Sequence, residues 1–465
     1  MDFDTIADNL RRSGNTVIGA PKRFDDSDIS VQGENNILYF SPESAIDKTS
    51  IRIHGSNSVF FLGGSTLRAD IDMGTGSVLY IGSDDYFHPT VVMKFNICDD
   101  SMVLFGDQVL SSLAIAIDTE HPGNNIQIGS HSWLCQGCRI LGNSVVSKDT
   151  IVGAMTTIRD FETASYSVYV AENRLSHSDV IFSAASLRNM ERDELLSRNK
   201  LPEKEYLGFI NMKSINFREL EELLQNEPEP EKRLDIIKEK SDANKYEYVA
   251  VTPFEKSFMN RLSRKFFKGE NRIIGDYEEL NSKSRITFTG TNNTLIIEPG
   301  VSFKNVTITF SGNNGLVYLS RSDEPYRMKI STHENCTVFF GSNNRFNSRG
   351  KRCIFNAADM QSIIVGNGST FEKGMFIRTS DQHGLYDKNT RERINYGAPV
   401  IIDDDAYIGN NSFILKGVVI GKGETVDPDS FIFKSRSTSR YSGYAKRLSA
   451  AKNMSERINI LKEIK

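Results

Sequence analysis

The chain has 465 residues, 38% hydrophobic and 25% charged, with a formal net charge of −4. That length suggests two or three domains of ordinary soluble composition, and the slightly acidic balance argues against bulk nucleic-acid or anionic-membrane binding. Five cysteines, an odd number, do not suggest a disulfide framework. The opening Met1-Asp-Phe-Asp-Thr-Ile-Ala-Asp is acidic and lacks the apolar core of a secretory signal. No stretch is apolar for long enough to span a bilayer. A cytoplasmic protein without a transmembrane segment is the expectation.

Residues 1–172 are expected to form a first β-helix domain. Short aliphatic-aromatic runs such as Ser58-Val-Phe-Phe-Leu-Gly and Ser77-Val-Leu-Tyr-Ile-Gly alternate with Gly/Asn/Ser/Asp turns. A six-residue register then sets in at Ile128, Leu134, Ile140, Val146, Val152 and Ile158. Residues 173–272 are more highly charged and show helical patterns at Phe217–Leu224, Glu231–Lys238 and Phe258–Phe267. The third is basic and amphipathic. It fits a membrane-surface or partner-binding helix, or a helix packed on the β-structure with a solvated basic face. Residues 273–440 are expected to form a second β-helix domain, and residues 441–465 a C-terminal helix. Gly33-Glu-Asn-Asn against Gly290-Thr-Asn-Asn, and Gly55-Ser-Asn-Ser against Gly312-Asn-Asn-Gly, point to an internal duplication.

The period is clearest near the end of the second copy. Ile402, Ile408, Ile414, Ile420, Val426 and Ile432 fall at every sixth position. A spacing of six forms no helical face and no strand alternation, so it signals a repeat architecture. Each hexad is a short strand and a turn, and three hexads close one triangular coil. Its aliphatic residue points inward and is buried only when coils stack. Turn-favouring or small residues follow at Asp403, Gly409, Gly421 and Asp427, where a sharp bend is expected.

Chemistry is expected just before this stretch, at Thr379-Ser-Asp-Gln-His383, followed by a polar excursion to Gly397. The TSDxH run, the loop, and the hexads carrying Ile414-Leu-Lys-Gly417 resemble the left-handed β-helix acyltransferases of the hexapeptide-repeat family, of the sugar and polysaccharide O-acetyltransferase type. The resemblance is strongest from about Ile363 to Ile432. It implies a mainly β protein of two left-handed parallel β-helix domains joined by an α-helical segment. It also implies acetyl-CoA as acyl donor, a glycan hydroxyl as acceptor, and active sites between neighbouring prisms of a homotrimer. Lys416 and Gly417 would then lie on the wall taking the pantetheine arm. Tyr444-Ala-Lys446 is similar to the family's closing Asn-Pro-Ala-Lys run, which places Lys446 near the nucleotide end.

The residue roles also follow from chemistry. A sugar hydroxyl is almost wholly protonated at pH 7, so its attack on a thioester needs a base, and His383 is the candidate general base. Asp381 lies two residues earlier, on the same face if the backbone is extended. Asp381 or Ser380 is therefore the expected partner that orients the ring. Backbone N–H groups in a turn are the expected oxyanion donors. An alternative site lies in the first copy, at Asp118-Thr-Glu-His121-Pro122, where the following loop is almost gone and Gly142 stands in place of Lys416. A structural first copy is expected, with His121 as the second-site alternative. Cys135 and Cys138 have a CxxC spacing but no second pair nearby, and His54, His88, His131, His177 and His333 show no ligand spacing, so no metal is expected. The functional expectation is acetylation of a bacterial surface polysaccharide (capsule or O-antigen) or its precursor. A non-catalytic scaffold in polysaccharide assembly and an acetylase of a small sugar or sugar nucleotide are the alternatives.

Overall fold

The computed structural model describes residues 2–89, 92–212, 214–242, 271–275, 284–347, 350–435 and 437–464. The chain divides into two compact units. One comprises Met1–Phe182 with Pro202–Lys256 and Tyr386–Arg391; the other comprises Ser183–Leu201, Ser257–Leu385 and Glu392–Lys465. The stretch 173–272 is thus shared between them. The helical pattern at Phe258–Phe267 lies outside the described residues.

The first unit is a parallel β-solenoid whose strands form sheets of seven, nine and seven strands. Coil length follows the sequence period. Ile37 pairs with Val59, 22 positions on, whereas Ile126 pairs with Ser144, 18 positions on, which is three hexads. Ile128, Leu134, Ile140, Val146, Val152 and Ile158 are all fully buried in one continuous core. An N-terminal helix that the sequence pattern did not reveal, Phe3–Arg12, closes one end of that core with Phe3, Ile6, Ala7 and Leu10. Asp2 caps it by accepting from the Thr5 N–H at 2.8 Å. Such an end cap hides the last open rung of a repeat array.

The second unit is built the same way, with parallel sheets of seven, seven and four strands. Ile402, Ile408, Ile414, Ile420 and Val426 are fully buried and Ile432 nearly so. Two requirements of the hexad separate here. At Gly409 the residue after the aliphatic must be small: a Cβ there would sit 2.5 Å from the backbone nitrogen of Pro428 in the next coil. The bend itself falls two residues later. Asp405, Asn411, Gly417, Gly423 and Asp429, six apart, all have positive φ between 53° and 76°. The sequence reading placed the sharp bend at Asp403 and its equivalents, two positions too early. Gly, Asn and Asp tolerate this left-handed geometry best.

Four-residue runs such as Val59–Leu62, Val78–Ile81 and Leu316–Leu319 are buried at every position. A strand that is apolar throughout is covered on both faces. In the first unit helices Phe217–Gln225 and Pro230–Asp242 provide the cover, packing Leu220, Leu224 and Ile237 against Phe61 and Tyr80. In the second unit helices Ser442–Ala450 and Met454–Ile464 do so, packing Leu448, Ile460 and Leu461 on Tyr318, Phe339 and Ile364. The repeated Asn residues form ladders between coils, as between Asn36 and Asn15 (2.9 Å) and Asn292 and Asn314 (2.5 Å). Among the described residues no helix is long and apolar enough to cross a membrane.

Candidate active site

In the second unit the solenoid makes one long departure. Ile363 pairs with Val400, 37 positions on, while the next coil needs only 18 from Ile401 to Val419. The extra residues are the polar excursion after Arg378. Thr379 anchors its start, fully buried, with Oγ1 accepting from Ala358 N and donating to Ala358 O at 2.8 Å each. The Ala398 N–H closes its end by donating to Thr379 O at 3.0 Å.

Inside the excursion Asp381 is a hub. Lys416 Nζ lies 2.5 Å from its Oδ2, Asn395 Nδ2 donates to the same oxygen at 3.1 Å, and Arg378 Nη2 is 4.0 Å from Oδ1. Burial works to raise its pKa, but the neighbouring Lys416 and Arg378 cations and the hydrogen bonds outweigh burial and hold it below the usual carboxylate value. Asn395 also donates to His383 O (2.8 Å) and accepts from Leu385 N (2.7 Å), so it fixes the backbone on both sides of Gly384. A buried pair supports it from beneath: the Arg393 guanidinium donates to both Asp359 oxygens, at 3.1 and 2.5 Å, and Gly397 N donates to Asp359 as well.

His383 is half-buried, and burial pulls its pKa down to about 4. The Arg188 and Arg378 cations push the same way, while hydrogen bonds to the backbone of Ala184 and Ala185 oppose them. At neutral pH the ring is an uncharged imidazole. This corrects the expected partner. Asp381 bonds to Lys416 and Asn395, Ser380 Oγ accepts from Gln382 N at 3.1 Å, and the backbone at 184–185 engages the ring. The physical reason is Gln382, whose φ of +71° breaks the extended geometry that would have set Asp381 and His383 on one face.

The 183–190 segment forms a strap over this site. Leu187 N donates to Gln382 O at 2.8 Å, and Leu187 and Met190 pack with Leu195 and Met360. Beneath the strap His333 is almost fully buried, and burial, reinforced by the Arg188 cation, pulls its pKa down to about 3.

The remaining candidates lie elsewhere. Lys416 also donates to Asn395 O at 3.1 Å, so its charge is committed to the excursion. Gly417 forms an open turn: a Cβ there would meet only Ala398 Cβ, at 3.5 Å. Lys446 is exposed on the helix Ser442–Ala450. In the first unit His121 is exposed, beside a Glu120–Arg159 ion pair at 3.0 Å, and the chain returns to strand at Asn125. No excursion encloses it. We therefore expect His121→Ala to leave turnover close to wild type; a collapse equal to that of a His383 variant would establish a second site. Cys138 is fully buried in the solenoid core and burial pushes its thiol well up, while Cys135 is half-buried. Neither Asn395 nor the strap was singled out from the sequence. The strap lies roughly 200 positions from His383 and carries no local motif.

The stacked three-strand coils define the class of each unit: a parallel β-solenoid, mainly β with few helices. No family model matches the chain. Among curated proteins it is similar to the polysialic acid O-acetyltransferase of Neisseria meningitidis, 28% identical over 147 residues, which are 32% of this chain and 66% of that protein. It is also similar to the polysialic acid O-acetyltransferase of Escherichia coli O1:K1 / APEC, 29% identical over 59 residues, 13% of this chain and 19% of that protein. The chain thus spans just under two thirds of the length of the Neisseria relative. Among solved structures, the polySia-specific acetyltransferase NeuO is 24% identical, covering 36% of this chain and 69% of that chain, with a TM-score of 0.31. The homologues of this chain are polysialic acid O-acetyltransferases, of the hexapeptide-repeat family.

Proposed function

We propose that this chain is an O-acetyltransferase that moves an acetyl group from acetyl-CoA to a hydroxyl of a bacterial surface polysaccharide, a capsule or O-antigen, or its precursor. The observation that carries this reading is an uncharged, half-buried imidazole, His383, set in the polar excursion of a β-solenoid. Acetyl-CoA supplies an electrophilic thioester carbon. His383 takes the proton of the acceptor hydroxyl as its oxygen bonds to that carbon; the C–S bond then breaks, and the proton passes to the departing thiolate. Asp381 is proposed to act through the excursion, by holding Lys416 and Asn395, rather than on the ring. The open turn at Gly417 fits the wall expected to take the donor's pantetheine arm. Lys416, paired to Asp381, is the positioning residue beside it. Ser380 is proposed to shape the turn at Gln382, and Lys446 to lie toward the nucleotide end. We further propose a cytoplasmic homotrimer, with the first solenoid structural.

The electrostatics set a pH dependence. A base with its pKa lowered to about 4 is already deprotonated at neutral pH, so kcat/KM is expected to stay flat from pH 8 to 6 and to fall as pH drops through about 4. A profile half lost near 6.5, the ordinary histidine value, would point to a different base. The sign for stability is the same. His383 and His333 favour the fold fully above their unfolded value of 6.5, and that support is lost as pH falls toward about 4 and about 3. Circular dichroism at each pH separates the two losses. Incubation with labelled acetyl-CoA and a panel of capsular and O-antigen glycans tests the reaction itself. Ester-linked label on a glycan is expected; its absence from every glycan, with label found on no sugar or sugar nucleotide either, would overturn the proposal.

A further inference from the structure

The third strand of each coil presents its outward residues in register along the solenoid. In the first unit this row runs Asp28, Ser50, Asp70, Lys94, Ala116 and Arg139, polar at every position but Ala116. Arg52 in the neighbouring row is ion-paired with Asp70 and Asp72. The matching row of the second unit runs Lys329, Ile354, Phe376, Phe413 and Phe431. The three phenylalanine rings are half-buried and follow one another at centroid distances of 6.1 Å. Phe433 extends the series at 6.3 Å and is 61% exposed. Inward positions beside them are already filled by Ile377, Ile414 and Ile432, so these rings are not core. Contiguous apolar side chains aimed at solvent mark a binding surface more often than an ordinary one.

At the other end of the row lies a cleft of about 380 Å³ lined by Lys329, Lys351, Arg352, Ile354 and Gly374. No carboxylate lines it, and none of its three cations is ion-paired with a described residue. Arg352 is held in place by donating to Thr307 Oγ1 at 2.8 Å. Unpaired cations concentrated in a concavity of a chain whose net charge is −4 favour an anionic ligand. The cleft is continuous with the aromatic row, because Lys329 and Ile354 line it and Ile354 pairs with Phe376 on the next strand. Arg378, outward on the same strand as Phe376, approaches Asp381 at 4.0 Å. The row therefore runs to the strand that feeds the His383 excursion.

We propose that this face binds a carboxylate-bearing polysaccharide, with its acid groups in the cleft of Lys329, Lys351 and Arg352 and its sugar rings along Phe376, Phe413 and Phe431. This rests on the acyl-transfer reading above and supplies the chemical class of its acceptor. The dimensions favour a polymer. Lys329 and Phe431 are four strand spacings apart, about 19 Å, too long for one anionic group but suited to successive sugar units. The flat faces of the phenylalanine rings offer CH-rich sugar rings a repeated platform, while the cations fix the chain's direction.

The test reads binding, not turnover. Full-length protein is titrated with polygalacturonate and polysialic acid, with dextran as the neutral glycan and coenzyme A as the phosphate source. Acidic glycans are expected to bind, more weakly at high salt, and dextran is not. Charge reversal of Lys329, Lys351 and Arg352 together, or Phe413→Ala alone, is expected to weaken acidic-glycan binding at least tenfold and to leave coenzyme A binding unchanged. Equal binding of dextran, wild-type binding by both variants, or loss of coenzyme A binding alone would overturn the assignment. So would a Phe413→Asp protein that keeps its glycan affinity but changes oligomeric state, since the row would then be a face between copies. Binding by a His383→Ala protein keeps the two proposals separate: it supports the face whether or not acetyl transfer is found.

Discussion

Replacement of His383 by alanine is expected to lower turnover by about 10²–10⁴-fold, the usual contribution of a positioned general base. The fall should lie in kcat, with binding of acetyl-CoA and acceptor little changed, because the ring acts on a proton rather than holding substrate. The lowered pKa gives the reason for its state. Burial, reinforced by Arg188 and Arg378, keeps the imidazole uncharged, and the backbone at Ala184 and Ala185 holds it in place. The Asp381 carboxylate is engaged by Lys416 and Asn395 rather than by the ring. Asp381→Asn is therefore expected to act indirectly. It loosens Lys416 and the excursion, and its cost should be smaller than that of His383→Ala. An Asp381→Asn protein as inactive as His383→Ala, with its fold intact, would return Asp381 to the role of direct partner.

The second large effect is on stability. Arg393 and Asp359 have side chains 2% and 5% exposed and form a two-pronged pair beneath the excursion. Arg393→Ala leaves the Asp359 carboxylate buried with only the Gly397 N–H facing it. Removing one member of a buried ion pair costs about 3–5 kcal/mol. For a unit of roughly this size that is a fall of about 6–20 °C in the unfolding transition that includes the second solenoid. The companion variant discriminates. Replacing both residues, Arg393→Met with Asp359→Leu, removes the stranded charge and should recover part of the loss. Calorimetry of the three proteins reads this directly. An Arg393→Ala protein that melts with the wild type would show that the pair contributes nothing to holding the excursion.

The solenoid was legible because its physics is local and repeated. Ile402 to Ile432 give the coil length, and their burial follows from stacking alone. Uninterrupted runs such as Val59–Leu62 carried a second message, that a helix covers their outer face, which a reading for hexads passes over. The helix Phe3–Arg12 was missed for a similar reason: its apolar residues Phe3, Ile6, Ala7 and Leu10 lie among acids and arginines and form a face only on a helix.

The site was legible in part. His383 and the excursion stand out because the period breaks there. The network around them does not, because it joins residues far apart: Asp359 with Arg393, Asp381 with Lys416, His333 with Arg188. One left-handed residue, Gln382, was enough to redirect Asp381 from the imidazole to a lysine. A glutamine gives no hint of positive φ, as a glycine or asparagine would have.

The most direct test of the central claim is transfer of labelled acetyl from acetyl-CoA to capsular polysaccharide, measured side by side for the wild type, His383→Ala and His121→Ala. Alkali-labile label on the glycan with the wild type and with His121→Ala, and a loss of at least a hundredfold with His383→Ala, is the predicted result. Equal labelling by the His383→Ala protein would contradict the account.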